Sequence, residues 1–140
     1  KSIITGDGGP FGAVIVKNNK VIGMGRNKVI KDNDPTAHAE IIAIRDACRR
    51  LNSHDLSNCT LYATSYPCLM CLSAIYWSNI KEVFYSTSAH EVAQYGFKGH
   101  LLAEKFAVDL EKCPIKLFGI DNEAGLQLFC DWQKSGNRSY

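Results

Sequence analysis

A His-x-Glu at His38 to Glu40 and a Pro-Cys-x-x-Cys at Pro67 to Cys71 place four residues in an order that suits metal-assisted hydrolysis. Cys68 and Cys71 stand three apart, so on one helical turn their sulfurs converge on a common centre, and a helix N-terminus favours the thiolate forms. One imidazole and two thiolates, from His38, Cys68 and Cys71, make a soft to borderline donor set of the kind zinc takes. Three protein ligands leave a fourth tetrahedral position to water, which separates a catalytic zinc site from a closed structural one. Glu40, two residues beyond a ligand, then reaches that water rather than the metal, and is expected to take its proton and deliver it to a substrate nitrogen. Two thiolates cancel the charge of zinc, so activation of the water leans on Glu40 and on two converging helix N-termini.

Other readings compete with this one. A lone Cys-x-x-Cys also fits a redox pair, and His38 and Glu40 also fit a packed histidine and a helix-start charge. A zinc-stabilised binding module is the alternative from another class, but it would more naturally use four protein ligands and has no need of Glu40. His54, His90 and His100 each lack a companion at ligand spacing and stand apart from the zinc.

Several elements must position these residues. "FGAVIV" and "VIGMGRN" read as strands joined at "KNNK", where Asn18 and Asn19 tolerate positive φ in a tight hairpin. After a polar loop, "KVIKDNDPT", apolar residues at Ile41, Ile42, Ile44, Ala47, Cys48 and Leu51 recur with helical spacing, and Arg45, Asp46, Arg49 and Arg50 take the solvated positions. "CTLYAT" is a short strand leading through Pro67 into an apolar helix, "CLMCLSAIYW". "EVFYS" and "IKLFGI" supply two more strands, and "HLLAEKF" and "GLQLFCDWQK" two more helices. Five strands interleaved with helices predict a single α/β domain over residues 1–140, its helices covering a mixed sheet.

Composition bounds the rest. The 140 residues are 46% hydrophobic and 21% charged, enough for a sizeable core, and 16 basic against 14 acidic residues leave a net charge of only +2. That balance announces no polynucleotide or anionic membrane. With no run of eighteen apolar residues and no charged-then-apolar leader, a cytoplasmic protein is expected. Six cysteines do not make a dense disulfide framework at this size, and Cys48, Cys59, Cys113 and Cys130 read as small core hydrophobes. The chain begins at Lys1 rather than at a methionine, so a preceding segment is not excluded.

The order His-x-Glu then Pro-Cys-x-x-Cys is that of the zinc nucleobase deaminases, and from about Gly9 to Tyr140 the chain resembles the cytidine-deaminase-like superfamily. It is most similar to the bacterial guanine deaminases, through "GGPFGAVIVK", "NDPTAHAE", "CLSAIYW" with "VFY", "YGF" at Tyr95 to Phe97 and the terminal "DWQKSGNRSY". The tRNA adenosine deaminases carry related forms of the first three blocks. The resemblance implies a three-layer α/β/α sandwich around a mixed five-stranded sheet, a zinc cofactor and a free nucleobase rather than a nucleic acid as partner. It implies that Asn27 hydrogen-bonds the base, that Phe11, Trp77 and Phe97 wall it, and that Tyr140 closes over it from a neighbouring subunit in a domain-swapped homodimer. Two departures matter, and the first leaves the choice of base open. Lys98 and Gly99 stand where guanine deaminases carry acidic residues, with Glu123 as a substitute acid. Only nine residues precede Pro10, so the family's N-terminal amphipathic helix is expected to be absent or shortened.

Overall fold

The computed structural model describes residues 6–120 and 122–136. Asn18 and Asn19, at φ 49° and 59°, turn β1 (Gly12–Lys17) into β2 (Lys20–Arg26) with the positive backbone angles a tight hairpin needs. Then follow α1 (Val29–Asp32), α2 (Ala39–Leu51), β3 (Thr60–Ser65), α3 (Leu69–Trp77), β4 (Glu82–Thr87), α4 (Ala89–Ala93), α5 (His100–Lys105), a 3-10 turn (Leu110–Lys112), β5 (Lys116–Gly119) and α6 (Glu123–Lys134). The strands form one sheet in the order β2-β1-β3-β4-β5; β1 is antiparallel to β2 and β3, while β3, β4 and β5 run parallel. This is the expected mixed five-stranded sheet.

Ile15, Leu61 and Val83 are neighbours in register across β1, β3 and β4, and none exposes any surface. Ala39, Ala43 and Ala47 of α2 and Leu72 and Ile75 of α3 pack on them, so both helices that carry the candidate ligands cover one face. On alternate positions the other face carries Tyr62, Phe84 and Phe118, stacked with centroids 5.1 and 4.9 Å apart. A second cluster, Val92, Phe97, Phe129 and Trp132, ties α6 to the segment between α4 and α5.

Three short elements, α1, α4 and the 3-10 turn, depart from the expected loops. α4 is nevertheless written in the sequence: the Ser88 hydroxyl accepts from the Glu91 N–H and the Glu91 carboxylate accepts from the Ser88 N–H, a reciprocal capping box. Among the described residues no helix is long and apolar enough to cross a membrane.

The approach of α2 to β2 is what places the site. A Cβ on Gly25 would lie 2.0 Å from the Ala39 carbonyl oxygen, and one on Gly23 2.6 Å from that of Ala43, so α2 rests directly on strand backbone. Alanines every fourth residue on the facing side of the helix keep the fit tight. Gly25→Val must therefore lever up the helix start that follows His38. We expect a loss of about 1–3 kcal/mol or more, read as a lower urea midpoint, with reduced zinc content in the folded fraction.

Candidate active site

His38 and Cys68 occupy equivalent places. Each is the residue just before a helix, α2 and α3 respectively, with extended backbone, φ −70° and ψ 155° for His38 and φ −68° and ψ 168° for Cys68. β3 ends at Ser65 and runs through Tyr66 and Pro67 into Cys68, so the site opens beyond the carboxyl end of the sheet's parallel strands. Cys71 follows on the first turn of α3 and is fully buried.

The geometry fits zinc. His38 Nδ1 lies 3.6 Å from Cys68 Sγ and 3.6 Å from Cys71 Sγ, and all three donor atoms fall within 4.8 Å of one another. Ligand bonds of about 2.3 Å to sulfur and 2.0–2.1 Å to nitrogen at a tetrahedral angle put sulfur and nitrogen roughly 3.6 Å apart. The electrostatics agree with that donor set. The Cys71 thiol donates toward Cys68, and this, with His38 alongside, lowers the Cys68 thiol to about 4. The same shared proton, with burial, raises the Cys71 thiol. The hydrogen bond with Cys68 raises His38 above its usual range.

Glu40, on the first turn of α2, is buried beside this cluster, and burial pushes its carboxyl above the ordinary range, with the Cys68 charge adding to the effect. A carboxyl so placed holds and releases a proton nearer neutrality than a solvated one. His38, Glu40 and Cys68 all line a cavity of about 310 Å³, at the small end of the range for small-molecule sites.

The structure brings Phe11, Asn27 and Phe97 to the same cavity. Phe11 and Phe97 meet edge to face with centroids 4.8 Å apart. Asn27 is buried, and its Oδ1 accepts from the Val29 N–H at 3.1 Å, which leaves its amide N–H groups as its offering. Arg26, next in the chain, gives Nε–H to the buried Asp7 carboxylate at 3.0 Å, an anchor the sequence did not announce.

Trp77 is not brought to the cavity. It lies six residues beyond Cys71, roughly 240° round the helix from it, and is 79% exposed on a second groove beside Tyr76 and Val108. Glu123 opens α6 and does not line the cavity either, while Lys98 and Gly99 do. Tyr140 lies outside the described residues. Sequence reasoning missed Ser65, which ends β3, and Tyr66, which links it to the motif, and set His100 aside; all three line the cavity, and no spacing rule marks them.

Residues 1–87 match the family model described as the cytidine and deoxycytidylate deaminase zinc-binding region, and this span holds His38, Glu40, Cys68 and Cys71. The chain belongs to that family. Zinc is accordingly its cofactor, and the donor set of this deaminase chain suits it. It is similar to the guanine deaminase of Bacillus subtilis, 40% identical over 138 residues that make up 99% of this chain and 88% of the relative. A tRNA-specific adenosine deaminase of Buchnera aphidicola is 43% identical over 108 residues, 77% of this chain and 68% of that one. Among solved structures, the Bacillus subtilis guanine deaminase superposes with a TM-score of 0.73. A guanine deaminase from Nitrosomonas europaea, 29% identical, reaches 0.81 over 95% of this chain and 78% of its own.

Metal analysis of the purified deaminase should find one zinc per chain. Cys68→Ala removes a donor that no other side chain among the described residues replaces, so stoichiometric zinc should be lost from that variant. Undiminished zinc would place the metal elsewhere.

Proposed function

We propose that this chain, as one deaminase domain, hydrolyses the exocyclic amine of a free purine base, with guanine to xanthine plus ammonia as the leading case. The observation that carries the reading is a buried carboxylate, Glu40, beside a three-donor zinc set in a cavity sized for one base. His38, Cys68 and Cys71 would hold the metal, which when bound supplies a water activated at neutral pH. Phe11 and Phe97 flank the base, and Asn27 donates its amide N–H to an acceptor on the ring. Glu40 takes a proton from the attacking water as the new C–O bond forms. It then delivers that proton to the amine nitrogen, the C–N bond breaks and ammonia leaves. The low exposure of Glu40 keeps bulk water from short-circuiting this transfer.

A tRNA adenosine deaminase is the second reading, and it is favoured by relatives 42–49% identical to this chain. Those alignments cover 55–77% of the chain, whereas the guanine deaminase alignment covers 99%, and a +2 balance gives no strong phosphate track. The same reading takes the protein as cytoplasmic, which its free cysteines support.

The reading extends to a homodimer whose C-terminal segment is exchanged, with Tyr140 capping the partner's cavity. Within one chain α6 packs on its own Phe97 and Phe11; an exchanged copy would make the same contacts, the usual relation between closed monomer and swapped dimer. The exposed Tyr76 and Trp77 are consistent with a contact between subunits.

Two measurements test these statements. In an ammonia-release screen over guanine, guanosine, adenine, cytosine and cytidine, the unaltered chain should favour guanine. Glu40→Gln should retain zinc but lose about 10²-fold to 10⁴-fold in turnover, the contribution of a positioned acid/base. Separately, removal of residues 135–140 should depress turnover with zinc intact. Full activity of that truncation, or a monomer by light scattering, would leave the tail without a catalytic part.

A further inference from the structure

Asn27 can donate to a base only if its amide faces the cavity the right way round. A primary amide keeps nearly the same shape after a half-turn about its last bond, so packing alone does not tell its oxygen from its nitrogen. The Val29 N–H does. It donates to Oδ1 at 3.1 Å and leaves the amide N–H groups for the cavity that Asn27 lines. Val29 opens α1, however, a helix of four residues none of which is buried, so apolar packing does not hold that donor in place.

Asp7 holds it instead. The Lys31 N–H of α1 donates to the Asp7 carbonyl at 3.0 Å, and the Lys31 ammonium stands 4.0 Å from the Asp7 carboxylate. That carboxylate is buried, and the Arg26 guanidinium donates to one of its oxygens from both Nε and a terminal nitrogen. Arg26 precedes Asn27, so the ties form a closed circuit: Asp7 to Arg26, along the chain to Asn27, from its Oδ1 to Val29, along α1 to Lys31 and back to Asp7. A carboxylate sunk this far loses its hydration, and a buried pair is weak evidence for stability; its attested use is to fix one arrangement. The segment that carries Asp7 also meets Asn27 directly. A Cβ on Gly8 would lie 2.2 Å from Asn27 Oδ1 and 3.1 Å from its Cγ, so bare backbone backs the amide there.

We propose that Asp7 is a positioning residue for base recognition: clamped by Arg26 and α1, it holds the Gly8 backbone behind Asn27 and keeps the amide with its N–H groups toward the cavity. The role rests on the deaminase reading above, and Asp7 itself neither lines the cavity nor stands among the metal donors. With the clamp gone, the amide samples its other orientations, and an acceptor on the base meets an oxygen where it should meet an N–H. Binding weakens. Glu40 and the zinc donors sit on or beside α2 and α3, outside the circuit, so KM moves and kcat does not.

Steady-state kinetics of the zinc-loaded protein, on whichever base releases ammonia fastest, test this role. Asp7→Ala should raise KM about 10-fold, with kcat and zinc content within about 2-fold of the unaltered protein. Asn27→Ala should raise KM by a similar factor or more, and adding Asp7→Ala to it should change KM by less than about 2-fold, because the clamp has lost its object. Should Asp7→Ala fail to fold, Gly8→Ala decides. It leaves the ion pair intact and drives a methyl against Asn27 Oδ1, and the same rise in KM is expected, again lost in the Asn27→Ala background. An unchanged KM in these variants, a fall in kcat or zinc in place of the rise in KM, or a KM effect that persists in full without the Asn27 side chain each overturns the positioning role and leaves the deaminase reading standing. If the unaltered protein releases ammonia from no base, the deaminase reading falls and this role falls with it.

Discussion

Two helix starts must meet at one point, and the contact that brings them there is α2 lying on the bare backbone of β2. Gly23 and Gly25 leave no side chain between strand and helix, and Ala39, Ala43 and Ala47 return the closest helical surface that still has a Cβ. Widening that gap by one methyl would displace His38, which stands immediately before Ala39. The partner helix is placed independently, through Leu72 and Ile75 sinking into the same core face. A 3.6 Å separation between imidazole and each sulfur is thus the product of two packings that share one sheet. At the start of α3 the Cys71 N–H donates toward Cys68, which adds to what holds the Cys68 thiol low.

Burying Glu40 in that region is costly, since a carboxylate loses its hydration and gains the nearby negative charge of Cys68. A solvated glutamate would be cheaper and of less use. Its proton affinity would sit well below neutrality, so it would accept a proton from water poorly and hold it too briefly to pass on. On the proposed reading the cost of desolvation is the device that matches the group to its task, as in other sites where environment sets a carboxyl to acid and base work.

The sequence announces this centre more clearly than the cavity around it, for a physical reason. Metal ligation demands rare residue types at helical spacing, so His38, Glu40, Cys68 and Cys71 stand out from any background. The hairpin is equally plain, because few residues other than glycine accept positive φ twice in succession and Asn18 and Asn19 do so. The five strands follow from alternation and β-branching. A cavity wall has no such rule: an aromatic at Phe97 and one at Trp77 look alike in a string of letters, and only the angle around α3 shows that Trp77 turns away from Cys71. His100 lacks a companion at ligand spacing, which speaks against a metal there and leaves its place in the cavity lining unmarked in the sequence. α1 and α4 are too short for periodicity to register, although the Ser88 and Glu91 pair was there to be read.

The division of labour follows the chain. The family match ends at residue 87, where the metal donors and Glu40 are already in place, and the parallel core strands β3 and β4 are complete. What faces them comes later: Phe97 and Lys98 lie between α4 and α5, His100 opens α5, and Phe97 is held from behind by α6. Phe97 packs on Trp132 at 4.8 Å and on Phe129 at 6.0 Å, and Phe11, from the first strand's entry, packs on both Phe97 and Phe129. A shift of α6 must therefore move this side of the cavity, without touching His38, Cys68 or Cys71. On the proposed reading the metal donors and Glu40 come from the first part of the chain, and the base-facing residues from both, Phe11 and Asn27 from the first and Phe97 from the second, joined through one aromatic cluster. Relatives that share the first part and differ in the second are then expected to break the same bond in different bases.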